Sequence, residues 1–301
     1  MPLIGVLLFF AFLVLAVAGW LWGPPLLAAQ RRLRVRRQPF PRAWREILRR
    51  RMPLFRRLPA DLQLQLKKHI QVLLAEKPFI GCQGLVPTDE MRVLVAAQAG
   101  LLLLNRRAGY FPKLRQILLY PGLFVVDRPQ FDAAGMTRDG RRVLAGESWQ
   151  QGQVLLAWDA VVEGAADPGD GQNVVIHEFA HQLDQESGSA NGAPWLGRRD
   201  RYARWSVVLG AAFQRLQARV AGAAAGPTPW YGAGTGDGGP GSADPDLPEP
   251  GPLDPYGASD PAEFFAVASE AFFERPAALA AAETELYAEL ARFYRVDPLN
   301  W

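Results

Sequence analysis

Five residues, His177-Glu178-Phe179-Ala180-His181, constrain this chain more tightly than any other stretch of it. On a helix the two histidines lie one turn apart and about 40° around the axis, so both imidazoles can reach one cation. Glu178 stands about 100° from His177, close enough to a cation-bound water to act as general base while staying out of the coordination sphere. Zn²⁺ suits such a set, because it takes imidazole and carboxylate ligands, lowers the pKa of its water to about 7 and polarises a carbonyl. The chemistry implied is peptide hydrolysis through a metal-activated water. Chance sharing of a helix face is the competing reading, and it is the weaker one in a chain with only three histidines. Asn173 to Ile176 give the motif an apolar approach, as a helix crossing a core beneath a cleft requires.

A catalytic zinc needs a third protein ligand, with the fourth position left to water. His69 is the remaining histidine; beside Lys67 and Lys68 on an amphipathic pattern, it reads as a solvated surface residue. Carboxylates are therefore the candidates. Ser259-Asp260-Pro261-Ala262-Glu263-Phe264-Phe265-Ala266 opens a strongly apolar helix, with Asp260 or Ser259 as cap and Pro261 in the first turn. Glu263 is thus an acid entering a buried aromatic helix, where an unpaired carboxylate is costly and a divalent metal would neutralise it. Glu270, seven residues on and on nearly the same face, is the alternative ligand or the acid that orients a histidine. Either acid would otherwise serve the helix dipole or a salt bridge. Asp184, three residues past His181, either orients a histidine through its outer ring nitrogen or makes a surface bond.

The start of the chain carries a different signal. Residues 1–30 have no charged side chain, and Leu3 to Trp22 is a nearly unbroken apolar run of the roughly 20 residues that a bilayer-crossing helix needs. Trp20 and Trp22 fall where an interfacial ring is favoured, and Pro24 with Pro25 is expected to stop the helix. A cleaved signal peptide would instead carry a positive residue ahead of a shorter apolar core. Arg31 to Arg57 then holds twelve arginines against the single acid Glu46. Positive flanks stay on the cytoplasmic side, which places the rest of the chain in the cytoplasm, anchored to the inner membrane by a single pass. The net charge is only +3, so the remainder is acidic, and direct nucleic-acid binding is not expected. Cys82 is the only cysteine. It excludes an intrachain disulfide and a cysteine-rich zinc site, and reads as a small buried residue.

Between these two signals, Pro41–Met52 and Pro59–Glu76 show helical spacing, and Thr88 is expected to cap a helix running to about Leu104. Gln116–Tyr120, Leu123–Val126 and Gln153–Trp158 read as strands of a small sheet. The last is either an edge strand able to pair with extended substrate backbone or an interior strand. Helices resume at Gly171. In residues 221–252, 16 of the 32 are Gly or Pro, too many to build a core, and the stretch reads as a flexible surface insertion or a substrate-gating loop. The fold expected is α+β. It has a transmembrane anchor over 1–30, a basic juxtamembrane segment over 31–57, and over 58–301 a mainly helical, zincin-type (gluzincin-like) metallopeptidase domain with a small sheet.

Three stretches together resemble a known family: Phe79 to Trp158, His177 to Asp184 with Asn191-Gly192-Ala193-Pro194 after it, and Asp254 to Pro276. They are similar to the Mlc titration factor A family of zinc peptidases, whose catalytic domain is similar to the peptidase domain of anthrax lethal factor. The resemblance covers most of residues 75–300, and the anchor and the Gly/Pro-rich stretch depart from the shorter soluble members. It implies a zinc site of His177, His181 and Glu263 with Glu178 as base. It also implies that Tyr256, seven residues before Glu263, stabilises the tetrahedral oxyanion through its phenol; read from the residues alone, Tyr256 is a loop tyrosine after Pro255. A peptide or protein substrate and aminopeptidase-like activity are further implications, as is a link to glucose uptake through the phosphotransferase system by binding the transcriptional repressor Mlc. The rival class is a non-catalytic protein that sequesters such a repressor. A basic membrane-associated structural protein would explain residues 1–57 and nothing after them.

Overall fold

The computed structural model describes residues 2–106, 109–131, 137–149, 152–222 and 251–301. Most of the Gly/Pro-rich stretch expected as an insertion or gating loop therefore lies outside the described residues. The chain divides into two units, Met1–Phe40 and Pro41–Trp301.

The first unit is one helix, α1 (Pro2–Arg37), which runs through Pro24 and Pro25 instead of stopping there. Each proline removes one N–H donor from the ladder but keeps a helical φ, and the leucines and alanines that follow restore the bonding. Phe9, Phe12, Leu15 and Trp20 stand exposed along it; several other side chains among its first 22 residues are outside the described set. Among the described residues, no helix is long and apolar enough to cross a membrane.

The second unit opens with α2 (Arg42–Arg51) and α3 (Pro53–Arg57), which bury Leu48, Met52, Leu54 and Phe55. Their arginines are exposed except for the half-buried Arg45, and Arg50 and Arg51 pair with Glu90 at 2.9 and 2.7 Å. Next come α4 (Ala60–Glu76), β1 (Phe79–Gly81) and α5 (Asp89–Leu101). Thr88 caps α5 as expected, its hydroxyl accepting from the Met91 N–H at 3.3 Å. His69 is buried and not solvated, with Nδ1 3.1 Å from the Tyr110 hydroxyl. Leu66, His69, Ile70 and Leu73 form the i, i+3, i+4, i+7 stripe of α4, so the lysines beside His69 occupy other faces.

The strands are β2 (Gln116–Tyr120), β3 (Phe124–Phe131), β4 (Thr137–Leu144), β5 (Gly146–Trp149) and β6 (Gln153–Ala157). With β1, three of them make a mixed sheet in the order β1-β2-β6-β5, while β3 and β4 pair as a separate antiparallel hairpin. In the mixed sheet β1, β2 and β6 are parallel, with Leu118 opposite Leu155, and β5 runs antiparallel to β6, with Ser148 opposite Val154. Val154 to Ala157 are all buried, as in a strand covered on both faces. The stretch 153–158 is thus an interior strand that ends at Ala157, and β5 takes the edge. Cys82, just past β1, is half-buried, more open than the buried position expected for it.

The remaining helices are α6 (Trp158–Ala166), α7 (Val174–Asp184), α8 (Arg199–Gly222), α9 (Pro261–Glu274), α10 (Pro276–Ala282) and α11 (Thr284–Tyr294). All eleven residues of α7 are buried, so the helix passes through the interior. α9 lies against it and fills the core with Phe264, Phe265, Phe272 and Phe273. Phe265 meets Trp205 and Phe293 edge to face, each at 5.7 Å between ring centroids. Because this ring is fully buried and its neighbours come from α8 and α11, Phe265→Ala should cost about 3–5 kcal/mol. Thermal or denaturant unfolding of the variant measures that loss.

Candidate metal centre

Asn173 sets the start of α7. Its side-chain Oδ1 accepts from the Ile176 N–H at 3.0 Å, and its side-chain Nδ2 donates to the Gly164 carbonyl at 2.9 Å and to Glu274 at 2.8 Å. Its backbone N–H donates to Oε1 of Glu270 at 2.7 Å, while Oε2 of the same carboxylate lies 2.8 Å from Nδ1 of His177. Glu270 therefore holds a histidine from behind, the second of the two roles the sequence left open for it. At the start of α9 it is Asp260 that caps, accepting from the Ala262 and Glu263 N–H groups at 2.8 and 3.1 Å. Ser259 turns away to donate to the Tyr256 carbonyl. Capping by Asp260 puts Glu263 in the first turn, opposite the two histidines of α7.

Three side-chain atoms converge there. Oε2 of Glu263 is 2.9 Å from Nε2 of His177 and 3.3 Å from Nε2 of His181, and the two Nε2 atoms are 3.3 Å apart. Ligands about 2.0–2.1 Å from a tetrahedral zinc are separated by roughly 3.3 Å, so the spacing fits a shared cation. The chemistry agrees. With Nδ1 of His177 engaged by Glu270, its Nε2 presents a lone pair toward two other acceptors, an arrangement that only a proton or a cation relieves. Burial opposes charge on His177 and His181, yet the carboxylates of Glu270 and Glu263 hold the His177 imidazole, and that of Glu263 the His181 imidazole, above their usual pKa. Burial also acts against the Glu263 carboxylate, but the two histidines outweigh it and keep that carboxyl well below the usual range.

Glu178 differs from Glu263. Burial pushes its carboxyl up to about 7 against the pull of His177 and His181, and its buried Oε2 has no hydrogen-bond partner among the described residues. A buried carboxylate oxygen without a partner is the usual mark of a missing water, ion or reactant. Tyr256 sits in a short 3-10 turn, Pro255–Ala258, where Asp254 accepts from its backbone N–H at 2.8 Å. Its ring centroid is 6.1 Å from that of His177. The five residues expected at the site are thus brought together on α7, on α9 and in the turn that precedes α9.

Asp184 does neither of the things expected of it. It is fully buried and accepts from the Asn191 and Gly192 N–H groups at 2.8 and 2.7 Å, which pins the loop after α7. Gly192 adopts φ +76° against the Pro261 carbonyl, and its own carbonyl accepts from the Trp205 indole at 2.8 Å. A side chain at 192 would have no room there.

The sequence reading also missed Gly146 and Ser148 on the edge strand. Ser148 receives the Gln182 amide at 2.7 Å, tying β5 to α7. A Cβ on Gly146 would lie 2.5 Å from Val174 and 2.7 Å from Oε1 of Glu178, so the strand edge and this carboxylate pack without spare volume. Neither residue belongs to a pattern that local sequence could reveal. Gly146→Ala should therefore lower stability by about 1–3 kcal/mol as the strand or Glu178 shifts. An unchanged denaturant midpoint would show that the two are not in such close contact.

A model of the glucose-regulated metallo-peptidase M90 family matches residues 27–295. The chain is 35% identical over 288 residues to the Synechocystis sp. protein slr2042, an alignment covering 95% of this chain and 96% of that one. It is 33% identical over 257 residues to Mlc titration factor A of Yersinia enterocolitica, covering 85% and 86%. To Mlc titration factor A of Serratia proteamaculans it is 36% identical over 228 residues, covering 75% and 77%. Membership of such a family carries with it a divalent metal. The chain belongs to the glucose-regulated metallo-peptidase M90 family, to which it is joined by its likeness to the Mlc titration factor A proteins.

Proposed function

We propose that this protein is a zinc-dependent peptidase in which His177, His181 and Glu263 hold the metal and Glu178 is the general base. The observation that carries this reading is the convergence of the three ligand atoms, all within 4.8 Å of one another, beside a buried carboxylate with an unpartnered oxygen. A divalent cation held there supplies Lewis acidity toward the attacking water and the scissile carbonyl. Glu178 takes the proton of that water and returns it to the leaving amine, a double duty that suits a carboxyl whose pKa is near 7. Glu270 keeps the His177 ring oriented with Nε2 forward. Tyr256 donates its phenolic proton toward the developing oxyanion, a role supported by the placement of its ring beside His177. Substrate backbone adds to the open edge of β5, whose outer side carries no strand among the described residues. Cleavage is aminopeptidase-like.

Glu178→Gln should keep the fold and one equivalent of zinc, measured by elemental analysis, while peptide turnover drops by on the order of 10²–10⁴. Unchanged turnover would remove Glu178 from the mechanism. The likeness to Mlc titration factor A proteins favours a second reading, in which the chain captures a repressor of the Mlc type; a bearing on glucose uptake through the phosphotransferase system would follow from that capture. Repressor binding that survives in the same variant would separate capture from chemistry.

A membrane anchor completes the proposal. It is supported by the uncharged sequence through residue 30 and by the exposed apolar side chains of Phe9, Phe12, Leu15 and Trp20 on α1, of a kind that seeks lipid or a partner. The arginines that follow place the body on the cytoplasmic side. Deleting residues 1–30 should move the protein from the membrane fraction to the aqueous one; a full-length protein already found in the aqueous fraction would rule the anchor out.

A further inference from the structure

A cleft of about 970 Å³ opens where α7 ends, bounded by Leu183 and Glu186, the first turns of α8 and the last turns of α11. It lies outside the metal cluster and shares none of its residues. Six arginines line it against three acids, an excess of three positive charges. Some of this charge is matched: Arg198 pairs with Asp200 at 2.9 Å, and Glu289 serves both Arg204 and Arg292 at 2.9 and 2.7 Å. Arg106, Arg201 and Arg295 form no ion pair among the described residues, although Glu186 stands in the same cleft.

Arg106 is the informative one. Its guanidinium stacks on Phe293 at 4.3 Å from the ring centroid, and its Nη1 is shut off from solvent with no hydrogen-bond partner among the described residues. Burial pushes its pKa down, and the charge of Glu186 acts the other way. A guanidinium remains charged in any protein, so a buried donor of this kind lacks the acceptor that would offset its lost hydration. In the same cleft Trp195, 61% exposed, offers an aromatic face. The three unpaired arginines come from three separate segments: the loop after α5, the start of α8 and the residue after α11. Such a layout suits several carboxylates spread along a chain better than one compact oxyanion.

We propose that this cleft binds an acidic segment of a polypeptide partner, with carboxylates meeting Arg201, Arg295 and the part of Arg106 that lines the cleft, and an apolar side chain resting on Trp195. The site does not depend on the metal and stands or falls apart from the peptidase reading.

Fluorescence anisotropy of full-length protein in detergent tests it, with a labelled decapeptide of glutamates and one leucine as probe and its lysine counterpart as control. The glutamate peptide should bind, more weakly as salt rises, and affinity should fall on the order of tenfold or more in Arg106→Gln and in Arg201→Glu. Should Arg106→Gln unfold, the exposed Arg201→Glu decides alone. Absence of binding overturns the proposal. So does equal binding by wild type and variants, which would put the peptide on the arginines of 31–57. Complete displacement by inorganic phosphate at matched charge overturns it as well, since the cleft would then be a site for small oxyanions.

Discussion

One carboxylate joins the two helices on which the rest of the site depends. Through one oxygen Glu270 receives the backbone N–H of Asn173, the residue that starts α7, and through the other it faces Nδ1 of His177 one turn later. The bond to Asn173 sets where α7 begins and the bond to His177 sets which nitrogen of the ring looks forward. Both originate in α9, whose first turn carries Glu263. Without this bridge α7 and α9 would still pack through their aromatic and aliphatic faces, but nothing would hold a side chain from each within reach of a common point.

Such a centre gathers costs that the surrounding fold has to carry. Glu178, Glu270 and Glu274 all sit in the interior with their carboxyl pKa values raised by burial, and two imidazoles share the same space. A hydrophobic cluster built around Phe179, Phe264, Phe265 and Phe272 excludes water from the helix faces that bear these acids. The same dryness strengthens every charge interaction inside it. The loop pinned by Asp184 closes the far side of the arrangement, linking the end of α7 to the start of α9 through Gly192.

Much of this was legible in the sequence where chemistry and periodicity coincide. The motif at 177–181, the acid entering an aromatic helix at 263 and the capped helix after Thr88 follow from residue type and spacing alone, and the structure places all three as those rules require. Misreadings came where local rules yield to tertiary ones. The lysine neighbours of His69 imply a solvated position, yet the residue is buried, because a helix turns by about 100° per residue and carries adjacent side chains to different faces. Pro24 and Pro25 mark a weak point in α1 and not its end. Which strand stands at the sheet edge depends on pairing between segments far apart in the chain, so no window of sequence could tell β5 from β6. Tyr256 was reached through family likeness, because a tyrosine in a turn carries no local signature of its own.

The double engagement of Glu270 also bears on how the apoprotein meets its ion. A second-layer acid that is already hydrogen-bonded needs no rearrangement when a cation arrives, so the entropy of ordering is spent during folding and little of the affinity is lost to it. What the ion does relieve is the crowding of acceptors at a single point. Since only the folded chain offers that point, a cation bound there would draw the folding equilibrium toward the native state by mass action.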